Sequence, residues 1–323
     1  MDSDDSVTFE IQSLFYQGAY RSCVDVVSQN TSGSPSDPTT LTRLLYGARS
    51  QLALNQPDAA LALLPSSDIP DSDSPAAAAV RALSRFVKAQ NKGDQSGSDE
   101  ELHQLNELLD QAVLGDANGQ TIRICVATAM MRDDDPVGAL ETLGMGTASS
   151  KEIESVALGV HILLSINRPD LAQKEYTAAR TWADDALLIQ LIEAYIGLYS
   201  GGRPAQQAYY VYDELAQNPA QAGKPSSVGV LTGKAVAHMV AGNRAEAEKV
   251  LAEAAELDPD NADVVANQAV LAEYGAKAPG STEYLEKLKS LAPRHPLVRE
   301  LKEKDLAFEE ALQKHQEALS GAA

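Results

Sequence analysis

Apolar residues recur at spacings of three and four along most of the chain, as in Leu41, Leu44, Leu45, Ala48 and Leu52, or Val156, Leu158, Val160, Leu163 and Leu164. That period belongs to a helix face buried on a neighbour, and no alternating stretch bounded by hairpin turns competes with it. The interruptions recur as well. Asn55-Gln56-Pro57, Asp134-Asp135-Pro136, Asn167-Arg168-Pro169 and Gly202-Arg203-Pro204 each end one apolar segment and open the next, and Gly242-Asn243-Arg244 does so without proline. Proline suits the first position of a helix, where its missing N–H would have no partner anyway, so each break predicts a turn between antiparallel helices. Gly18-Ala19-Tyr20 marks one more, and Pro75 to Leu114, interrupted by the polar run Asn91 to Ser98, predicts a further pair. Roughly eight helix pairs result.

A small residue stands three positions after several breaks, at Ala60, Ala139, Ala172 and Ala247, with Gln207 as an exception. From residue 139 to residue 281 the intervals are 33, 35, 40 and 34, clustering near the tetratricopeptide period of about 34 residues. The segment Val228 to Asn261 carries small residues at Ala235, Ala247 and Ala254 and a terminal Pro259, with Leu231 and Leu251 to fill the space between helices. Lys234 departs from the leucine usual there, and in the next unit Ser281 and Leu288 replace alanines. The expected fold is all-α: a tetratricopeptide-like α-solenoid of helical hairpins, curved into a superhelix over residues 1–294 and clearest over 120–294. A C-terminal capping segment, 295–323, would follow, its charges dense enough to face water.

The formal net charge is −20 over 323 residues, which opposes an unassisted grip on nucleic acid or anionic lipid. Cys23 and Cys125 can form neither a disulfide framework nor a metal cage. The acidic start, MDSDDSV, lacks the basic segment of a signal peptide, and the longest nearly apolar run, Val156 to Ile166, is too short to span a bilayer. A cytosolic protein is expected. His103, His161, His238, His295 and His315 form no metal-ligand pair, and Gly144-Met145-Gly146 lacks the third glycine and the preceding strand of a dinucleotide loop. Asp133-Asp134-Asp135 is explained by a turn, and Ser98 with Glu101 by a capping box. No catalytic, cofactor or metal residue is predicted, and no enzyme.

In this repeat the first helix of each pair lines the concave surface through positions two, five, nine and twelve. These are Thr121, Ile124, Thr128 and Met131; then Glu154, Ala157, His161 and Leu164; then Gly229, Thr232, Val236 and Met239. An open groove should be mostly polar, so the apolar lining suggests a surface covered by a protein partner. The candidate binding residues are Ile124, Met131, His161, Leu164, Val236 and Met239. The competing reading is tight curvature in which repeats cover one another. A chaperone-type clamp for acidic peptides would need Lys, Arg and Asn on this face, and the lining has none. A helical-repeat enzyme would need an acid/base or metal constellation.

Four stretches, Leu14 to Val24 (LFYQGAYRSCV), Asp170 to Tyr176 (DLAQKEY), Ala208 to Ala216 (AYYVYDELA) and His295 to Phe308 (HPLVRELKEKDLAF), span nearly the whole chain in order. Together they resemble the coatomer epsilon subunit family. The resemblance implies a non-enzymatic coat subunit that binds the C-terminal region of the coatomer alpha subunit, its repeats curling around a segment of that partner, and that meets the rest of the coat indirectly. It further implies Golgi-to-ER and intra-Golgi transport, a cytoplasmic and peripheral Golgi location on COPI-coated vesicles, and membrane contact only through the assembled coat. The alternative is a tetratricopeptide adaptor or co-chaperone for another protein.

Overall fold

The computed structural model describes residues 3–31, 33–35, 37–147, 151–219, 221, 226–274 and 280–321, and among them every regular element is an α-helix. The helices come in pairs: α1 (Ser3–Tyr16) with α2 (Tyr20–Gln29), α3 (Pro38–Ala53) with α4 (Pro57–Leu63), α5 (Pro75–Lys92) with α6 (Gln95–Leu109), and α7 (Ala117–Arg132) with α8 (Pro136–Thr142). After these come α9 (Ile153–Ser165) with α10 (Pro169–Ala183), α11 (Leu187–Ser200) with α12 (Gly202–Gln217), α13 (Val228–Val240) with α14 (Arg244–Leu257), and α15 (Ala262–Glu273) with α16 (Gly280–Leu291). A long α17 (Pro296–Gly321) ends the chain. Among the described residues the all-α expectation and the count of roughly eight pairs are both met. The chain divides into two compact units, Met1–Gly229 and Val230–Ala323.

Six of the turns inside the pairs share one geometry. Gly18, Asn55, Gly93, Asp134, Asn167 and Gly242 all take a left-handed backbone with φ between 56° and 78°. In each case the next residue donates its N–H to a carbonyl five positions back, as Gln56 does to Gln51, Arg168 to Leu163 and Asn243 to His238, at 2.8–2.9 Å. This Schellman closure satisfies carbonyls that the end of a helix otherwise leaves bare, and Gly, Asn and Asp are the residues that reach it at least cost. Proline then starts α4, α8 and α10 one residue later.

Side chains finish several starts. Asp37, Ser74, Asp116 and Asp135 accept from backbone N–H groups at the beginnings of α3, α5, α7 and α8. The expected capping box at Ser98 is corrected. Gly93 stops α5 early enough that Asp94 caps α6 through the Gly97 N–H, at 3.0 Å. Ser98 lies inside α6 and donates to the Gln95 carbonyl, while Glu101 accepts from Arg85.

Packing follows the repeat. Ala60, Ala139, Ala172, Ala235, Ala247 and Ala254 are buried, as are Leu231 and Leu251 between them. Ser281 and Leu288 are buried in the next pair, so the substitutions there preserve the packing role. In the first unit, α1 packs on α3, α3 on α5, α5 on α7, α7 on α9 and α9 on α11, and α11 touches α1 again. The line of first helices therefore returns on itself. Ser227 donates to the Gln17 carbonyl at 2.5 Å, so the end of this unit also meets its first turn.

At Gly242 an added Cβ would touch nothing, so only backbone conformation opposes a side chain there. Gly242→Ala should cost about 1–2 kcal/mol and Gly242→Asn distinctly less. Urea unfolding of the three proteins measures it, and equal costs for Ala and Asn would contradict a left-handed turn.

Candidate partner-binding face

The six candidate residues fall into different environments. Ile124 on α7 is buried with Ala127, Ala139, Leu143 and Ile162, and Leu164 on α9 is buried with Val160, Ile189 and Ile192. Both serve packing between successive pairs and present almost no surface; the curvature brings the next first helix over them. Met131 is half-buried against the Ile124 cluster, while His161 is exposed. In the second unit Val236 and Met239 on α13 are half-buried.

Glu154, at position two of α9, is the centre of a buried network. One carboxylate oxygen accepts from the Tyr16 hydroxyl at 2.7 Å and the Tyr46 hydroxyl at 2.5 Å. The other accepts from the Arg49 guanidinium at 2.6 Å. That guanidinium also lies over the Phe15 ring, 4.6 Å from its centroid. Side chains from α1 and α3 thus fill the inner face at this end, and self-covering by curvature holds here. Burial alone would raise the Glu154 pKa, but the Arg49 charge and the Tyr46 and Tyr16 hydroxyls outweigh it, and the carboxyl is held below its ordinary range. Burial first, then the Glu154 charge, pushes both tyrosine hydroxyls up, so they stay protonated donors. Burial likewise pushes the nearby Cys125 thiol up to about 12, leaving it inert rather than nucleophilic.

A second buried pair, Arg123 and Glu152, ties α7 to the start of α9. Glu152 also accepts from the Gly115 N–H at 2.9 Å and the Ser155 hydroxyl at 3.0 Å. Both pairs are saturated with internal partners, as structural ion pairs are.

Further along α9 and α11, exposed side chains remain. The His161 ring meets Tyr195 edge to face, with centroids 6.4 Å apart, and both residues are exposed. Tyr199, one turn further along α11, is also exposed while donating its hydroxyl to Asn167 at 2.6 Å. An exposed aromatic strip thus crosses α9 and α11. Tyr195 and Tyr199 were missed from sequence. The available signal was the helix start at Leu187, which puts Tyr195 at position nine, the place His161 holds in α9.

No group of His, Cys, Asp and Glu among the described residues could hold a metal, and no described helix is long and apolar enough to cross a membrane. The chain matches the family model for the coatomer epsilon subunit over residues 4–316. The chain belongs to the coatomer epsilon subunit family. It is 28% identical over 308 residues to coatomer subunit epsilon-2 of Oryza sativa subsp. japonica, covering 94% of this chain and 96% of that one. Identity is 29% over 307 residues to epsilon-1 of Arabidopsis thaliana, with 94% and 96% covered, and 25% over 302 residues to the epsilon protein of Caenorhabditis elegans, with 93% and 96% covered. Among solved structures, a chain of the APC/C hetero-tetramer Cut9–Hcn1 is similar with TM-score 0.57 and 11% identity, over 94% of this chain and 55% of that one. A tetratricopeptide repeat protein from Parabacteroides merdae is similar with TM-score 0.50 and 10% identity, over 93% and 98%. At such identities these structures speak for the fold alone, a tetratricopeptide solenoid. Membership makes the chain a structural component of a coat, not an enzyme, with its partner inside the coatomer complex.

Removing either side of the central ion pair strands the other in a buried site, so Glu154→Gln and Arg49→Met should each cost about 3–5 kcal/mol in urea unfolding at pH 7. The double variant should lose less than the sum. Because the folded carboxyl titrates below its unfolded value, its contribution is complete above the unfolded pKa and vanishes as pH falls through the folded one. The gap between wild type and Glu154→Gln should therefore narrow on acidification below about pH 4.5. A gap independent of pH would mean that Glu154 is not ionised.

Proposed function

We propose that the chain holds the C-terminal region of the coatomer alpha subunit, and that in the first unit the contact runs along His161, Tyr195 and Tyr199. The observation that carries this reading is the exposed aromatic strip on the inner helices of a coat component. Large, rigid aromatic rings left in water on a concave wall are the side chains from which binding hot spots are built. Met131 on α7, and Val236 and Met239 on α13 of the second unit, are further half-open apolar positions on first helices. Ile124 and Leu164 support the wall from behind rather than touching the partner.

The acidic balance favours membrane contact through the assembled coat. The chain would work in the cytoplasm and reach Golgi membranes and COPI-coated vesicles with its partner, in Golgi-to-ER and intra-Golgi transport. A clamp for acidic peptides is disfavoured, because the buried cations Arg49 and Arg123 of the first unit are committed to Glu154 and Glu152.

Calorimetry with a fragment from the C-terminal region of the alpha subunit tests the reading. His161→Ala with Tyr195→Ala should weaken binding at least tenfold while the melting temperature is unchanged, since both residues are exposed. A separate pair, Val236→Asp with Met239→Asp, should weaken binding through desolvation of the new carboxylates. Wild-type affinity in the first pair would remove the strip from the interface. The purified chain should also stay in the supernatant with anionic liposomes, and sedimentation with them would overturn the indirect-membrane reading.

A further inference from the structure

Among the described side chains of α17, only those of its first turns are packed. Leu297 and Val298 lie against Val265, Ala266 and Leu288, whereas every residue from Lys302 to Gln316 is exposed. The face that begins in this contact continues outward. Leu301, Asp305, Phe308, Leu312 and His315 are spaced four, three, four and three apart, which keeps them within a stripe roughly 80° wide on a helix of 3.6 residues per turn. Phe308 is 68% exposed and Leu312 45% exposed. An apolar seam with one acid and one imidazole at core positions is unfavourable to leave in water, and its polar residues restrict what can cover it.

We infer that this seam pairs with the same seam of a second copy, antiparallel about a two-fold axis midway between Phe308 and Leu312. That register places Phe308 against Leu312 of the second copy and Asp305 against its His315, and symmetry repeats both layers on the other side of the axis. Phe308 and Leu312 thus meet apolar surface, and each Asp305 carboxylate meets an imidazole N–H that can donate to it. A parallel pair in register would instead oppose Asp305 to Asp305 and His315 to His315, leaving the carboxylates without donors. The seam thus reads the same through its own reversal, a property that a surface fitted to an unrelated partner has no reason to possess.

Glu309 flanks the seam and meets its own counterpart beside the axis. With only a short helix face on each side, association is weak and reversible rather than obligate. It concentrates into a dimer where copies are held close together, as in a coat.

Sedimentation velocity of the full purified chain, up to about 100 µM, tests this, since weak interfaces show at such concentrations. Wild type should populate a dimer and Phe308→Asp should be monomeric, with unchanged helical circular dichroism because the site is exposed. His315→Asp alone should weaken the dimer by setting carboxylate against carboxylate, and adding Asp305→His should restore it; Glu309→Gln should tighten it. A wild-type chain that stays monomeric throughout overturns the inference. So does a dimer that ignores Phe308→Asp or that the double swap fails to restore. Protection of α17 from hydrogen exchange only on adding the alpha fragment would assign the seam to that partner and overturn it too.

Discussion

The first unit is organised around one carboxylate that cannot be left alone. Glu154 sits on the inner side of α9, and its charge is tolerable in a buried site only if several donors reach it. Those donors are Tyr16, Tyr46 and Arg49, which stand 138, 108 and 105 positions earlier in the chain. Three side chains from two helices converge on it at only one curvature of the intervening pairs. Opening the curl would strand Glu154 and Arg49 together; tightening it would drive the Phe15, Tyr16 and Tyr46 rings into one another.

Apolar packing alone would not specify that curvature so sharply. Alanines such as Ala60, Ala139 and Ala172 let the helices approach closely, and larger side chains such as Phe86, Ile122, Ile162 and Ile192 fill the space around them, but such packing tolerates small changes in crossing angle. Apolar burial supplies most of the stabilisation, chiefly through the larger side chains, since it removes apolar surface from water at every pair. The polar network adds direction: its hydrogen bonds weaken steeply with misalignment, so it selects one member from a family of similar superhelices. Arg123 and Glu152 repeat the logic locally, fixing how α9 starts relative to α7.

What could be read from sequence divides along the same line. Turn positions were legible because the left-handed residue and the following proline are local chemistry, as at Asn55-Gln56-Pro57 and Asn167-Arg168-Pro169. Small packing residues were legible because they recur with the repeat. Glu154 was placed on the inner face by counting, but its role was not visible, since its partners lie more than a hundred residues away and Arg49 belongs to a helix whose register was open. Ile124 and Leu164 were counted as lining positions and read as candidates for a surface covered by a partner, whereas they are buried within the unit. How far the next first helix leans over such a position depends on curvature, which counting does not supply. The capping box at Ser98 failed for a smaller reason: Gly93 ends α5 early, and Asp94 reaches the first free N–H groups before Ser98 can.

The closure also decides which part of the inner face is left for a partner. Position two of α9 is consumed by α1 and α3, whereas position nine, with His161 beside Tyr195, receives no covering helix within this unit. Behind that strip stand buried Leu164, Ile189 and Ile192, so its two helices are already held in place. A segment docking there would meet an ordered wall at little cost in rearrangement, and the free energy of contact would go into residence time instead of folding. The buried network and the exposed strip are therefore complementary: Glu154 binds position two of α9 to α1 and α3, and the apolar cluster behind position nine holds the two helices that carry the strip.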